Sequence, residues 1–298
     1  MKTLLLLVLL PFALALNMTG PITIDLPINM WSLAGERIYV ASNNTIIIMN
    51  TSGAVIEKVS YNEVITGISA TETAFVTLTA NNMMFIMTAE SCYQTALQPP
   101  VDGYGLITLE NYIALISLAS YDPHTQTLVD FYFYNGTFVN RVTLPYVALS
   151  YNIYGSGAII TTNEFYPTDE TLVMIAYVNG TVVITRLQKH INILSVTKHL
   201  GELYCSSVGI YVFMENGDFL GKYKEDVFID SQIYFYEEHM IYMSFNDTDV
   251  TLYFRVGKRA ETVSIPYQMA PRYYIGLAVS PSGKLVTSIP NQLLIFTL

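Results

Sequence analysis

IIIMNTSGAVI at residues 46–56, FYFYNGTFV at 131–139, IAYVNGTVV at 175–183 and YVFMENGDFL at 211–220 share one plan: a hydrophobic run, a polar turn ending in Gly, and a second hydrophobic run. Asn-Gly and Ser-Gly between β-rich runs are strong hairpin signals, because a tight two-residue turn needs positive φ, which Gly and Asn adopt cheaply. Each copy reads as a pair of antiparallel strands. The turn glycines Gly53, Gly136, Gly180 and Gly217, with a degenerate copy at Gly257, lie 83, 44, 37 and 40 residues apart, and the first gap is close to two of the others. A period of about 40 residues made only of strands predicts an all-β chain folded as a β-propeller.

Working outward from the turns, each unit resolves into four short strands, a to d from the axis to the rim. The first blade, 31–60, reads MWSLAG, RIYVAS, TIIIMN and AVIEKVS, and further units span about 64–98, 104–146, 148–188, 191–224 and 230–266. The fifth carries INILSVT, ELYCSSV, IYVFME and FLGKYK; the second has a poor outer strand near Thr95. The remainder, 273–298, supplies three strands and leaves an open edge, which sheet proteins avoid. PITIDLPI at 21–28 belongs to no other unit and is expected to pair with the last blade and close the ring. The count is seven blades, with six as the alternative if the second or fifth unit is misread.

MKTLLLLVLLPFALALN opens with one charge, Lys2, and an apolar run to Leu16, and Ala13-Leu14-Ala15 fits a small-x-small cleavage site. Residues 1–15 are expected to be a signal peptide and 16–298 a single secreted propeller domain without a membrane span. Charged residues are only 13% of the chain and the net charge is −10, so no basic stripe is present to neutralise phosphates and a nucleic-acid partner is excluded. Few charges with many Tyr, Thr and Asn suit a surface protein in an acidic or hot medium, such as an archaeal cell-surface or viral protein. Cys92 and Cys205 fall three blades apart, too far for a disulfide, and are expected to be two free, buried thiols.

AVSPSGKLVTS leading into NQLLIF in the last unit resembles the repeat of secreted YVTN-type and related tryptophan-aspartate-like propellers, in which Ser-Pro-x-Gly-Lys marks the turn between strands a and b. The match covers residues 277–296; no copy carries Trp-Asp, and the single tryptophan is Trp31. The resemblance implies an interaction scaffold and no particular ligand.

Sequons stand at Asn17, Asn43, Asn50, Asn135, Asn179 and Asn246, in predicted turns or at the amino end, and glycosylation is expected at the last five. In a propeller the d-to-a and b-to-c connections share one face, here the loop face; the a-to-b and c-to-d turns share the other, the turn face. The loop face holds SYDPHTQT (120–127), NEFYPTDE (163–170), PPVDGYG (99–105), PYVALSYN (145–152) and PYQMAPRYY (266–274). Loops on a rigid scaffold commonly carry binding, and Tyr gives a large, stiff, amphipathic contact. Tyr104, Tyr121, His124, Phe165, Tyr166, Tyr267 and Arg272 are the candidate contacts to a protein or glycan partner at a cell or virion surface.

The four histidines lack zinc spacing. Asp247 and Asp249 lack the Gly and distal Glu of a calcium loop. No metal, cofactor or catalytic residue is therefore expected. Glu164, Asp169 and Glu170 read as solvated loop acids. The reading is a secreted, non-catalytic interaction or surface-structural protein. The alternative is an extracellular glycosidase or lyase with carboxylates in the axial funnel, which ITGISAT, INILSVT and IGLAVS, nearly devoid of acids and bases, disfavour.

Overall fold

The computed structural model describes residues 17–18, 22–97, 102–121, 124–154, 156–164, 170–189, 191–228, 232–245, 249–256, 259–266, 276–289 and 292–298. Their regular structure is entirely β, in seven antiparallel sheets that follow one another along the chain. Blade 1 is Met30–Ala34, Arg37–Ser42, Thr45–Asn50 and Val55–Ser60. Blade 2 is Ile65–Ala70, Ala74–Thr79, Met83–Thr88 and Cys92–Ala96, so its poor outer strand does form. Blade 3 is Asp102–Thr108, Ile113–Tyr121, His124–Tyr132 and Phe138–Leu144. Blade 4 is Ser150–Tyr154, Gly157–Glu164, Glu170–Tyr177 and Val182–Arg186. Blade 6 is Tyr234–Tyr236, His239–Phe245, Asp249–Val256 and Arg259–Pro266.

Blade 5 departs from the pattern: Ser195–His199 is followed by one extended run, Glu202–Met214, and then Phe219–Phe228. A straight strand would carry Glu215 roughly 40 Å from Leu203. Yet Lys198, which pairs with Leu203, holds Glu215 at 2.6 Å. The run therefore doubles back, at Gly209 (φ 92), where the register shifts between Val208 and Ile210. Strands b and c expected from ELYCSSV and IYVFME are its two arms.

Burial explains why the strands read as continuous hydrophobic runs. Alternate residues of a strand point to opposite sheet faces. In blade 1, Ile38, Val40, Ile47 and Met49 enter one buried cluster, and Tyr39, Ala41, Ile46 and Ile48 enter the next. Each sheet is thus sandwiched between two neighbours, and strands b and c have no solvent face. The outer strand of blade 1 is mostly exposed. Among the described residues seven such clusters form, one between each pair of adjacent blades, including blades 7 and 1. The molecule is a closed seven-bladed β-propeller.

The seam lies in blade 7, whose own strands are Leu277–Val279, Lys284–Ile289 and Gln292–Thr297. Asn17–Met18 and Ile22–Thr23 pair antiparallel with the last of these, through Asn17 to Thr297 and Ile22 to Leu293. The closing strand therefore begins earlier than the expected 21–28. Its continuation crosses to blade 1, sinking Ile24 and Ile28 into the blade 7/1 cluster. Trp31 Nε1 donates to Ser288 Oγ at 2.8 Å across the same seam. Glu36, in the blade 1 a-to-b turn, accepts from Thr51 at 2.7 Å and from Ser282 of blade 7.

The recurring turns are one residue longer than the two-residue kind. Gly136 N donates to Phe133 O at 3.0 Å and Phe133 N to Thr137 O at 2.9 Å, enclosing three residues, and the turns at Gly53, Gly180 and Gly217 repeat both bonds. Only the glycines take positive φ, 81 to 94 degrees, while Ser52, Asn135, Asn179 and Asn216 do not. This is a three-residue loop ending in a left-handed bulge. Each turn also packs on the preceding blade's outermost strand. Thr95 donates to Gly136 O, Asn140 to Val178 O and Thr185 to Glu215 O. At Gly53 the neighbour is Ile22, at 2.6 Å from where a Cβ would stand, as befits a residue of blade 7's outer strand.

Both cysteines are free. Cys205 is buried, but Cys92 is exposed, correcting the expectation of two buried thiols. Cys92 starts an outer strand that is mostly exposed.

Candidate functional site

Three of the candidate contacts fall on blade 3. Tyr104 lies in strand a, paired with Ser117, and Tyr121 faces His124 at the loop-face end of the b-to-c hairpin. Phe165, Tyr166, Tyr267 and Arg272 lie outside the described residues, as does Asn246. Asn43, Asn135 and Asn179 are exposed, and Asn50 is half-buried.

Beside that hairpin runs the connection from blade 3 to blade 4. Thr127 of strand c anchors it, donating to Tyr146 O at 2.6 Å and accepting from Ala148 N at 2.8 Å. From there Val147, Leu149, Tyr151 and Ile153 are 38%, 44%, 46% and 50% exposed, while Asn152 between the last two is buried. The period of two is that of an extended strand, and here it places an apolar stripe in solvent from the loop face into the channel. The Tyr151 ring lies over Gly105 of blade 3, 2.4 Å from where a Cβ would be, so this approach requires glycine. Sequence reasoning placed 145–152 among the loops and missed the stripe, although the alternation in VALSYNI was its signal.

The channel opens onto the inner strands. Trp31, Ser32, Ser69, Asn152, Ile153, Gln232, Tyr234 and Gly276 are among the residues around a cavity of about 360 Å³. Its wall is tied by neutral hydrogen bonds: Tyr234 Oη donates to Gln232 at 3.0 Å, Gln232 Nε2 to Asn152 Oδ1 at 2.8 Å, and Asn152 Nδ2 to Val196 O at 2.9 Å. Ser69 and Thr108 share a hydroxyl contact at 2.9 Å. Among the described lining residues none carries an ionisable acid or base except the Tyr234 phenol, which burial holds far above its ordinary range. This surface can offer amide and hydroxyl contacts to a neutral ligand.

A second pocket, about 310 Å³, opens on the turn face between blades 5 and 6. His199 stacks on Phe235 at 3.9 Å, Tyr204 meets the Phe235 ring edge-on, and the Arg255 guanidinium sits 4.8 Å over Tyr223. Burial, and then the Glu202 carboxylate that accepts its hydrogen bond, raise Tyr204 and keep it a neutral donor. Its ring faces are largely taken up by one another. No group of His, Cys, Asp and Glu suited to a metal ion is found among the described residues.

A scan against protein-family models gives no match, and a comparison with curated proteins gives none either. Solved structures do match. The chain is similar to a streptogramin B lyase structure at 11% identity and TM-score 0.68, with 95% of this chain and 98% of that one covered. It is similar to a chain of the mitotic checkpoint complex at 12% identity and TM-score 0.65, covering 94% of each. BamB from Moraxella catarrhalis matches at 10% identity and TM-score 0.57, over 92% of this chain and 86% of that one. At such identities the likeness is one of fold, and it is to propellers.

Proposed function

We propose that the chain is a secreted, non-catalytic recognition scaffold that binds a protein partner at a cell or virion surface through its loop face, around blades 3 and 4. The observation that carries this reading is the exposed stripe Val147, Leu149, Tyr151 and Ile153 beside the Tyr121–His124 hairpin. Scattered surface apolar residues are ordinary, but a contiguous run on rigid backbone marks an interaction surface. One structural neighbour is a chain of the mitotic checkpoint complex, which supports a scaffold role, and Ser280–Lys284 in the a-to-b turn of blade 7 supports kinship with YVTN-type repeats.

The enzymatic alternative draws on the streptogramin B lyase likeness. A glycosidase or lyase would call for acids or bases in the funnel, whereas the described lining offers amides, hydroxyls and an indole that suit binding. The test is a pull-down from the native surface, paired with a glycan array, using the chain and a Leu149→Asp, Tyr151→Ala variant that retains its thermal midpoint. Capture of one protein partner, weakened at least tenfold in the variant, supports the reading. Equal capture by both removes it, and array binding without protein capture replaces the partner by a glycan.

A further inference from the structure

We propose that Asn50, Asn135 and Asn179 are acceptors for N-linked glycans and that Asn43 is not, so that sugars gather on the turn face and leave the loop face of blades 3 and 4 bare. The inference rests on the secreted reading. Asn135 and Asn179 sit inside the c-to-d turns of blades 3 and 4, and Asn50 is the last residue of strand c, opening the c-to-d turn of blade 1; one contact is common to all three. The backbone N–H two residues on donates to the Asn Oδ1: Ser52 at 3.1 Å, Thr137 at 2.9 Å and Thr181 at 3.0 Å. At Asn50 the Ser52 hydroxyl donates to the same oxygen at 2.6 Å. Each carboxamide is therefore held by its oxygen, and its Nδ2 has no partner among the described residues. Ser52, Thr137 and Thr181, which complete the sequons, are exposed.

The same fold supplies two controls. Asn216 occupies the equivalent turn of blade 5 and accepts from Asp218 N at 3.1 Å, but Asp218 replaces the hydroxyl residue and binds Asn216 Nδ2 at 2.8 Å. That copy is no sequon and its amide is engaged. Asn43 is a sequon without the turn. It sits at φ 52 on the loop face, and its hydroxyl partner Thr45 is already in strand c, facing Ser60 at 3.3 Å across the sheet. A transferase that must bring Asn and Thr to one side of the acceptor segment finds that arrangement ready-made at the three turns and blocked by sheet pairing at Asn43.

In the step itself Nδ2 bonds to the anomeric carbon of a lipid-linked saccharide. The bond from that carbon to the phosphate oxygen breaks, its electron pair leaves with the lipid phosphate, and the amide proton passes to the transferase's base. Donors on Oδ1 stabilise the delocalised amide as that proton departs.

The test is the full mature chain secreted from a yeast host behind the host's own leader, followed by release of glycans with an amidase in heavy-oxygen water and peptide mapping. Label is expected at Asn50, Asn135 and Asn179. Ser52→Ala, Thr137→Ala and Thr181→Ala keep the backbone bond to Oδ1, and each is expected to lose one glycan without moving the thermal midpoint. Thr45→Ala is expected to lose none. Label at Asn43 equal to that at the turns, or its absence from two of the three turns, overturns the inference. Failure of the chain's own leader in a parallel culture counts against the secreted reading and leaves the glycan result standing.

Discussion

Closure of the ring by residues 22–29 can be broken one side chain at a time. Ile24 and Ile28 lie outside every blade strand, yet they are 6% and 7% exposed, packed with Ile38, Val40, Ile47 and Met49 of blade 1 and Val286, Leu293 and Ile295 of blade 7. Truncating a buried Ile to Ala removes three carbons, about 2.4 kcal/mol of transfer free energy at ~0.8 kcal/mol per methylene. The cavity left behind raises the total to about 2–5 kcal/mol. The two sites share one cluster, so the double variant need not be additive. Even one loss is a large part of a typical stability of about 5–15 kcal/mol. Leu26, between them and 39% exposed, is the control, with an expected change within about 0.5 kcal/mol on truncation. Urea unfolding of Ile24→Ala, Ile28→Ala and Leu26→Ala measures all three. If the two isoleucine variants unfold at the midpoint of the Leu26 variant, the segment does not seal the ring and the argument for closure fails.

The turn glycines divide by what they touch. A Cβ on Gly217 would stand 1.9 Å from the Arg186 carbonyl oxygen, whereas at Gly180 the nearest atom is Asn140 Nδ2 at 3.4 Å. Gly180→Ala is expected to cost about 1–2 kcal/mol for left-handed backbone alone; Gly217→Ala is expected to cost clearly more, and equal thermal midpoints would contradict the packing described. Under native conditions a maleimide is expected to label Cys92 only, because burial raises the Cys205 thiol far above its ordinary range; in denaturant both react. A second native label would place Cys205 at the surface. For Glu36, burial raises the carboxyl, but hydrogen bonds from Ser282, Thr51 and Ser280 and the Lys284 charge outweigh it and lower it from 4.5. A lowered folded value means that the stabilisation is present above the unfolded value and fades as pH falls through the folded one. The thermal midpoints of the chain and Glu36→Gln should therefore differ near neutrality and converge as the pH falls below 4.5 and through the lowered folded value, and a constant gap would remove Glu36 from the seam.

The blade repeat was legible because its cause is local and repeated. Strands b and c are buried on both faces between neighbouring sheets, so TIIIMN and RIYVAS must be apolar without interruption. The turn that follows must hold a left-handed residue against the preceding blade, so Gly recurs at Gly53, Gly136, Gly180 and Gly217. The turn length was misjudged by one residue because Asn-Gly suits both hairpin types; Asn135 and Asn179 contribute a side-chain acceptor there, with no positive φ. In blade 5 the same periodicity held where the backbone does not pause between strands, since alternate residues still serve opposite clusters: Leu203 and Phe213 one, Ile210 and Val212 the next. Cys92 misled because a free thiol is usually buried, while the outer strand it starts is mostly exposed.

The two faces differ in what constrains them, and that difference decides where function can be read. On the turn face every c-to-d hairpin that the sequence repeats is also a joint to the preceding blade, as Thr95 to Gly136 and Asn140 to Val178 show. A residue there is accounted for by the ring itself. Across the disc, the connection from blade 3 to blade 4 is held through its backbone, by the Thr127 anchor and by Leu149 N donating to Thr161 O at 2.8 Å. Nothing in the packing then asks for Val147 and Leu149, 38% and 44% exposed, to be apolar. The ring pays for regularity on one face with freedom on the other, and the side chains that architecture leaves unexplained are the ones a partner would explain. A periodic search finds the first kind of residue and passes over the second, because a binding surface occurs once per molecule and has no period to find.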